Sequence, residues 1–401
     1  MKWPFESIGN LAEVNPRIAA ADRPAPDEQV SFVPMAAISE KTCRIEEQTE
    51  RCFAEVSKGY TPFRKGDVLI AKITPCFENG KMALAENLSH ELGFGTTEFH
   101  VLRPSDKLIG AYLFNLLRAP FIRKAGAMKM KGAAGQRRVP ADFFAALQIP
   151  LPPLAEQKRI AAILDAADAL RAKRRETLAQ LDTLLQSTFL DMFGDPETRE
   201  WPMATVEEVA LPKKGSIRTG PFGSQLLHSE FVDEGIRVLG IDNAVANEFR
   251  EGEARYITHE KYKHLRRYTV RPGDVLITIM GTCGRCAIVP AGIEKSINTK
   301  HLCCITLDPE KCMPDFMHAY FLRHRLARTY LERNSKGAIM SGLNMEIIKK
   351  MPILLPPLPL QRRFATIVES VEQQKTRLRA HLTELDILFA SLQDRAFKGA
   401  L

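Results

Sequence analysis

No run of 18 apolar residues occurs anywhere in the 401-residue chain, and no short apolar core flanked by basic residues opens it. Neither a membrane-spanning helix nor a secretory leader is therefore expected, and the cytoplasm is the expected compartment. Cysteine is sparse and scattered, with eight residues at 43, 52, 76, 283, 286, 303, 304 and 312, a distribution that suits free thiols better than a disulfide framework. Catalytic signatures are also missing. The chain has no Asn/Asp-Pro-Pro-aromatic element of amino-methyltransferases, no Gly-Lys-Ser/Thr phosphate loop and no nuclease-like grouping of Asp with Glu-x-Lys. Gly93-Phe-Gly95 looks like a cofactor turn but lacks the strand-to-helix context and the acidic residue before it. Glu251, Glu253, Glu260 and Asp274 read as surface or turn positions. Cys283-x-x-Cys286 followed by Cys303-Cys304 suggests half of a zinc site, but the second pair lacks a spacer and the repeat partners of the first are Asn79 and Met82. No catalysis, cofactor or metal is expected.

What is present is a globular composition, 45% hydrophobic and 26% charged, with a formal net charge of +8 and a pI near 9.0. The basic residues come in groups such as Lys129/Lys131, Arg137/Arg138, Lys213/Lys214 and Arg266/Arg267, which fits a polyanionic partner.

The chain also repeats itself. Pro150-Leu-Pro-Pro-Leu154-Ala-Glu-Gln157 matches Leu354-Leu-Pro-Pro-Leu358-Pro-Leu-Gln361 at an offset of 204 residues. Ile163, Leu178, Leu181 and Leu184 then meet Ile367, Leu382, Leu385 and Leu388 at the same offset; upstream, Phe143, Leu147 and Ile149 meet Ile347, Met351 and Ile353. A three-residue indel brings Arg64-Lys-Gly-Asp-Val-Leu-Ile70 onto Arg271-Pro-Gly-Asp-Val-Leu-Ile277. Two copies of one unit fill the chain.

Each copy opens with about 150 residues of short β-rich segments punctuated by Gly and Pro, a pattern of mixed α+β globules. A long helix follows. The first starts after Pro152-Pro153 and runs to about Phe193, with Ile160, Ile163, Ala167, Leu170, Leu178, Leu181, Leu185, Phe189 and Met192 on its seam and Arg174 interrupting it. The second carries Phe364, Ile367, Val371, Leu378, Leu382, Leu385, Leu388 and Leu392, interrupted at Gln374. Rods of ~38 residues extend roughly 57 Å, too far to bury a stripe inside one small domain. The expected solution is an antiparallel coiled coil of the two helices with pseudo-twofold symmetry, and the alternative is two separate helical arms. The expected divisions are residues 1–150, 151–196, 197–353 and 354–401.

This ensemble resembles the specificity subunit of type I restriction-modification systems: a globule, LPPLAEQKRIAAILDAADAL and a long helix ending FLDMFGDP, then a second globule, LPPLPLQRRF and a second helix. The strand with Gly-Asp-Val-Leu in each half and the loop Ile217-Arg-Thr-Gly-Pro-Phe-Gly-Ser-Gln-Leu226 fit the same family, although the first copy has no such loop near its start. The resemblance implies two α/β target-recognition domains that read double-stranded DNA, residues 1–150 and 200–353. It further implies that the paired helices act as a ruler between two half-sites and dock two methyltransferase subunits, through which restriction subunits join. Base reading in the major groove calls for bidentate Arg, Lys, Asn or Gln side chains on polar loops. The candidates are Lys129, Lys131, Gln136, Arg137 and Arg138 in the first copy and Arg218, Thr219, Ser224, Gln225, Lys336 and Asn344 in the second. A helical adaptor that binds protein rather than DNA is the competing reading.

Overall fold

The structure is a computed structural model and describes residues 3–133, 135–194, 200–334 and 342–401. It divides into two compact units, Met1–Glu176 with Arg379–Leu401, and Thr177–Leu378.

In the first unit a two-stranded ribbon joins Phe5–Ser7 to Gln148–Pro150. A four-stranded antiparallel sheet follows in the order Ala12–Val14, Phe99–Pro104, Val68–Ala71, Met82–Leu84. A second sheet runs Thr49–Cys52, Gln29–Val33, Leu92–Gly95, Thr61–Arg64, with its central pair parallel. Val68–Ala71 is buried along its whole length because both faces of its sheet are covered.

The second unit repeats this strand for strand. Its ribbon is Met203–Thr205 with Pro352–Leu354. Its sheets run Ile217–Thr219, Leu302–Ile305, Val275–Thr278, Cys286–Ile288, and Tyr256–Ile257, Ile236–Leu239, Ser296–Asn298, Thr269–Val270. The α+β class and the repeat deduced from the offset are thus present in the fold.

The two long helices are Leu154–Phe193 and Leu358–Lys398. Each starts directly after its Pro-Pro pair and is anchored there by a buried glutamine. Gln157 accepts from the Ile109 amide (2.9 Å) and donates to the Lys107 and Pro152 carbonyls (3.0 and 2.9 Å). Gln361 does the same with Met313 (2.9 Å), Lys311 (3.1 Å) and Pro356 (2.8 Å). Every partner lies 204 residues from its counterpart, so the sequence repeat records a conserved set of hydrogen bonds rather than composition alone.

Each unit takes the opening half of one helix and the closing half of the other. In the first, Ile160, Leu164 and Ala167 share a core with Phe389, Ala396 and Phe397. In the second, Phe189 and Phe193 pack with Phe364, at ring separations of 5.6 and 5.5 Å. Beside these apolar residues the helix seam of each unit carries a charged cluster. Asp168 binds Arg118 (3.2 Å) and Arg171 (2.7 Å), and Arg171 crosses to Asp386 at 2.6 Å. In the second unit Lys375 binds Glu372 and crosses to Asp182, both at 2.7 Å, again 204 residues from their counterparts. Burial works against the Lys375 charge, but Asp182 and Glu372 more than offset it and hold its pKa above the usual lysine value. Paired charges at a helix seam favour one register, since a slip would leave the largely buried Arg171 and Lys375 without these partners.

This charged segment corrects two expected seam positions. Leu170 and Leu388 are exposed, because Asp168 and Arg171 face inward around the first and Phe389 takes the interior place beside the second. The break in the second stripe falls at the buried Lys375 and not at Gln374.

Candidate nucleic-acid interface

A cleft of about 640 Å³ in the first unit opens between the ends of its two sheets. Its wall begins with Asn15-Pro16-Arg17-Ile18, the segment that leaves the edge strand Ala12–Val14. Asn15 sits at φ 56°, a left-handed conformation that Asn tolerates better than most residues, and its amide donates to the Val101 carbonyl (2.7 Å). Phe53, Phe94 and Phe99 form an apolar floor, Tyr60 stands edge-on to Phe32 beside it, and Arg17, Arg23, Lys58 and Lys72 line the walls. Among the described residues no carboxylate lines the cleft. Four cations offer counter-charge to phosphates, while Phe94 and Phe99, 1% and 2% exposed, back the cleft from the interior.

The loop proposed from the sequence borders this cleft. The Val139 amide donates to the Lys72 carbonyl (2.9 Å) and the Thr74 amide to the Arg137 carbonyl (3.0 Å), which holds residues 137–139 alongside Lys72. Arg138 is engaged by Glu98 through three contacts of 2.8–3.3 Å, and this bonding holds the Glu98 carboxyl below the usual range. Arg137 pairs more loosely with Glu78 (3.5 Å). Lys129, Lys131 and Gln136 are exposed, Lys129 at the end of the helix Pro120–Met128. The five first-copy candidates therefore lie on one connected surface segment, two of them already ion-paired.

In the second unit the strand register places Arg267 where the first has Tyr60, Tyr268 where it has Thr61, Ile279 where it has Lys72, Lys300 for Thr97 and His301 for Glu98. The segment leaving the edge strand Ile217–Thr219 is Gly220-Pro221-Phe222-Gly223-Ser224-Gln225. Gly220 is required: a Cβ there would lie 2.0 Å from the Asn298 carbonyl oxygen. Gln225 accepts from the Tyr268 hydroxyl (2.8 Å) and from the Phe222 amide (3.3 Å), so the loop is tied across the counterpart of the cleft. Leu226 and Phe231 pack on the cluster of Ile236, Val238, Tyr268 and Ile297, the counterpart of the apolar floor. What is an open cationic cleft in one unit is covered by a loop in the other.

Of the second-copy candidates, Ser224 and Gln225 are exposed and Thr219 is half-buried. Asn344 caps the helix Met345–Lys349, its side chain accepting from the Ile347 amide (2.9 Å). Lys336 lies outside the described residues. Arg218 was grouped with the loop candidates, but it sits in the interior. Its guanidinium binds Asp274 (2.6 Å), the Thr269 carbonyl (2.6 Å) and the Thr306 hydroxyl (3.0 Å). Asp274, read as a surface or turn position, closes the turn from Arg271, its amide donating to the Arg271 carbonyl (3.0 Å), and is 1% exposed rather than on the surface. The cleft residues Arg17, Arg23, Lys58, Tyr60 and Lys72 were not singled out in the sequence. The available signal was Asn-Pro-Arg directly after the first edge strand.

Among the described residues no three His, Cys, Asp or Glu side chains gather as metal ligands. Burial pushes the Cys303 and Cys312 thiols up to about 12, which keeps them protonated and poor as ligands.

A family model described as the type I restriction modification DNA specificity domain matches residues 2–181 and 237–385. The chain belongs to this family, and it is a non-catalytic, DNA-sequence-specific component of a type I restriction-modification system. It is 27% identical to the type I restriction enzyme EcoEI specificity subunit of Escherichia coli, over 96% of this chain and 81% of that protein. A stretch of 159 residues is 45% identical to the EcoAI specificity subunit of E. coli, covering 39% of this chain and 26% of that protein. Among solved structures, the type I restriction-modification S subunit from M. genitalium superposes with a TM-score of 0.57 at 13% identity, covering 99% of this chain and 96% of that one. A chain from a study of complex assembly and conformational transition in a type I system gives 0.58 at 21% identity, over 100% and 98% of the two chains. Both share its fold.

Proposed function

We propose that the two units read two different half-sites of one bipartite DNA target, and that the paired helices set the gap between them and carry two methyltransferase subunits. The observation that carries this reading is the repeated strand framework with unlike side chains at matched positions: Tyr60 against Arg267, Lys72 against Ile279, Thr97 against Lys300, Glu98 against His301. A frame that is kept while its displayed chemistry changes suits two readers with separate specificities. The helices support the docking role, because Leu170, Leu184, Leu190, Ile387 and Leu388 remain exposed on them. Restriction subunits join through the methyltransferase, in the cytoplasm where the DNA lies.

Co-expression with a type I methyltransferase subunit, followed by mapping of modified adenines, tests the reading. A split motif with a fixed gap, each half of which follows its globule in exchange experiments, is the expected result. A stable complex with no sequence-dependent modification would refute it and favour an adaptor.

A further inference from the structure

The two recognition surfaces differ in the kind of force they offer DNA. In the first unit the segment after the edge strand delivers Arg17 to a cleft with three further cations. In the second it delivers Phe222, a residue about half exposed (51%) on a backbone pinned from both sides. On one side Gly220 is pressed against Asn298 and its amide bonds the Thr299 carbonyl (3.2 Å). On the other the Phe222 amide bonds Gln225, which Tyr268 holds in place, and Gly223 adopts φ 53°. Leu226 and Phe231 of the same loop are packed on the sheet, whereas Phe222 and Leu227 stand in water, Phe222 beside the exposed Ser224 and Gln225 and the one aromatic of the two. A large side chain kept in solvent by a rigid loop incurs its hydration cost in the free protein and regains it on contact, without an ordering penalty.

We infer that Phe222 is a non-ionic DNA anchor, packing its ring against bases or sugars of the second half-site, while the first half-site is held chiefly through the cations Arg17, Arg23, Lys58 and Lys72. The inference rests on the reading of both units as DNA readers. Its signature is a division in salt dependence. Each phosphate contact that is lost flattens the plot of log affinity against log salt by about 0.9, whereas burial of an aromatic ring leaves that slope alone.

The test uses the assembled complex with methyltransferase subunits and the duplex defined by adenine mapping, titrated at several salt concentrations. Phe222→Ala is expected to weaken binding about tenfold at every salt concentration with the slope unchanged, and Phe222→Leu to recover part of the loss. Phe222→Arg should steepen the slope. Arg17→Ala and Lys72→Ala should each flatten it by about 0.9. Unchanged affinity in Phe222→Ala, with assembly and melting temperature like the parent, overturns the anchor. A loss that grows or shrinks with salt also overturns it. Should Arg17→Ala and Lys72→Ala leave affinity and slope untouched, the cleft reading of the first unit fails, and that outcome is independent of the Phe222 result.

Discussion

The interior placement of Arg218 yields a prediction that separates a structural role from base reading. The side chains of Arg218 and Asp274 are 9% and 1% exposed. Asp274 also accepts from the Arg271 amide (2.9 Å), the Thr306 hydroxyl (2.6 Å) and the Cys304 thiol (3.2 Å). Changing Asp274→Asn leaves the guanidinium buried without a counter-charge, and removal of one partner of a buried pair costs about 3–5 kcal/mol. For a unit of this size each kcal/mol lowers the melting temperature by about 2–4 °C, so a fall of roughly 6–20 °C is expected. Arg218→Met should fall in the same range. The double variant Arg218→Met with Asp274→Leu should recover part of the loss, because an apolar replacement removes both desolvation penalties together. Scanning calorimetry of the methyltransferase complex, with amide exchange followed at Arg271, measures this. If Arg218→Met melts like the parent and loses only DNA affinity, the guanidinium acts on DNA and the structural assignment is wrong.

Gln157→Leu orphans the Ile109 amide and two carbonyls and should cost about 2–4 kcal/mol, seen as faster exchange at Ile109; Gln361→Leu should do the same at Met313, and unchanged exchange in either variant would refute the anchor role. Burial depresses the pKa of His100 and His324 below the ordinary 6.5, so below about that pH the unfolded chain takes up protons that the folded one does not. Stability is therefore complete above pH 6.5 and should decline as pH falls toward the folded pKa values, by up to about 1.4 kcal/mol per pH unit for each histidine; urea titrations that give equal stability at pH 7.5 and pH 5.5 would contradict it. A chain truncated after Leu378 loses Phe389, Phe397, which meets Tyr112 at 5.5 Å, and Gln393, which bonds the Asn115 carbonyl. Limited proteolysis should then cut within residues 3–133 before 200–334, and the reverse order would count against it.

The helices were legible because the Pro-Pro-Leu-x-x-Gln repeat encodes a hydrogen-bond constellation as well as a helix start. Gln157 and Gln361 have to recur for that constellation to form, and the offset of 204 follows from it. Strand pairing was legible through Gly-Asp-Val-Leu, whose glycines, Gly66 and Gly273, take left-handed φ of 87° and 79° before the buried strands. The interior of the helix seam was harder to read. Apolar spacing pointed to Leu170 and Leu388, but the seam there is held by Asp168, Arg171 and Asp386, and no apolar pattern reports a buried charge. Arg218 misled for a related reason: its burial depends on a partner 56 residues away. The first-unit cleft escaped because Arg17, Arg23, Lys58 and Lys72 are dispersed in sequence and become neighbours only when the two sheets fold.

The sharing of helices between units bears on how specificity can change. Neither 1–150 nor 197–353 carries a whole core. The first relies on Phe389 and Phe397 from the end of the chain, and the second on Phe189 and Phe193 from its middle. A recognition domain can be exchanged without disturbing these cores only if the incoming globule presents the surface that the helix halves expect. That surface is narrow and identifiable. In the first unit it comprises Tyr112, whose hydroxyl donates to the Pro150 carbonyl, the backbone at residues 107 and 109, and Arg118 facing Asp168. The second unit meets the same need with Tyr320 donating to Pro352, the backbone at 311 and 313, and the carbonyl of Phe193 bonded by His324. These contacts lie on the helix side of each globule and share no residue with the cleft of the first unit or with residues 220–225 of the second. Structural demands on the helix side and the recognition role proposed for the cleft and for residues 220–225 thus fall on different residues, an arrangement under which the displayed chemistry can vary while the frame stays constant.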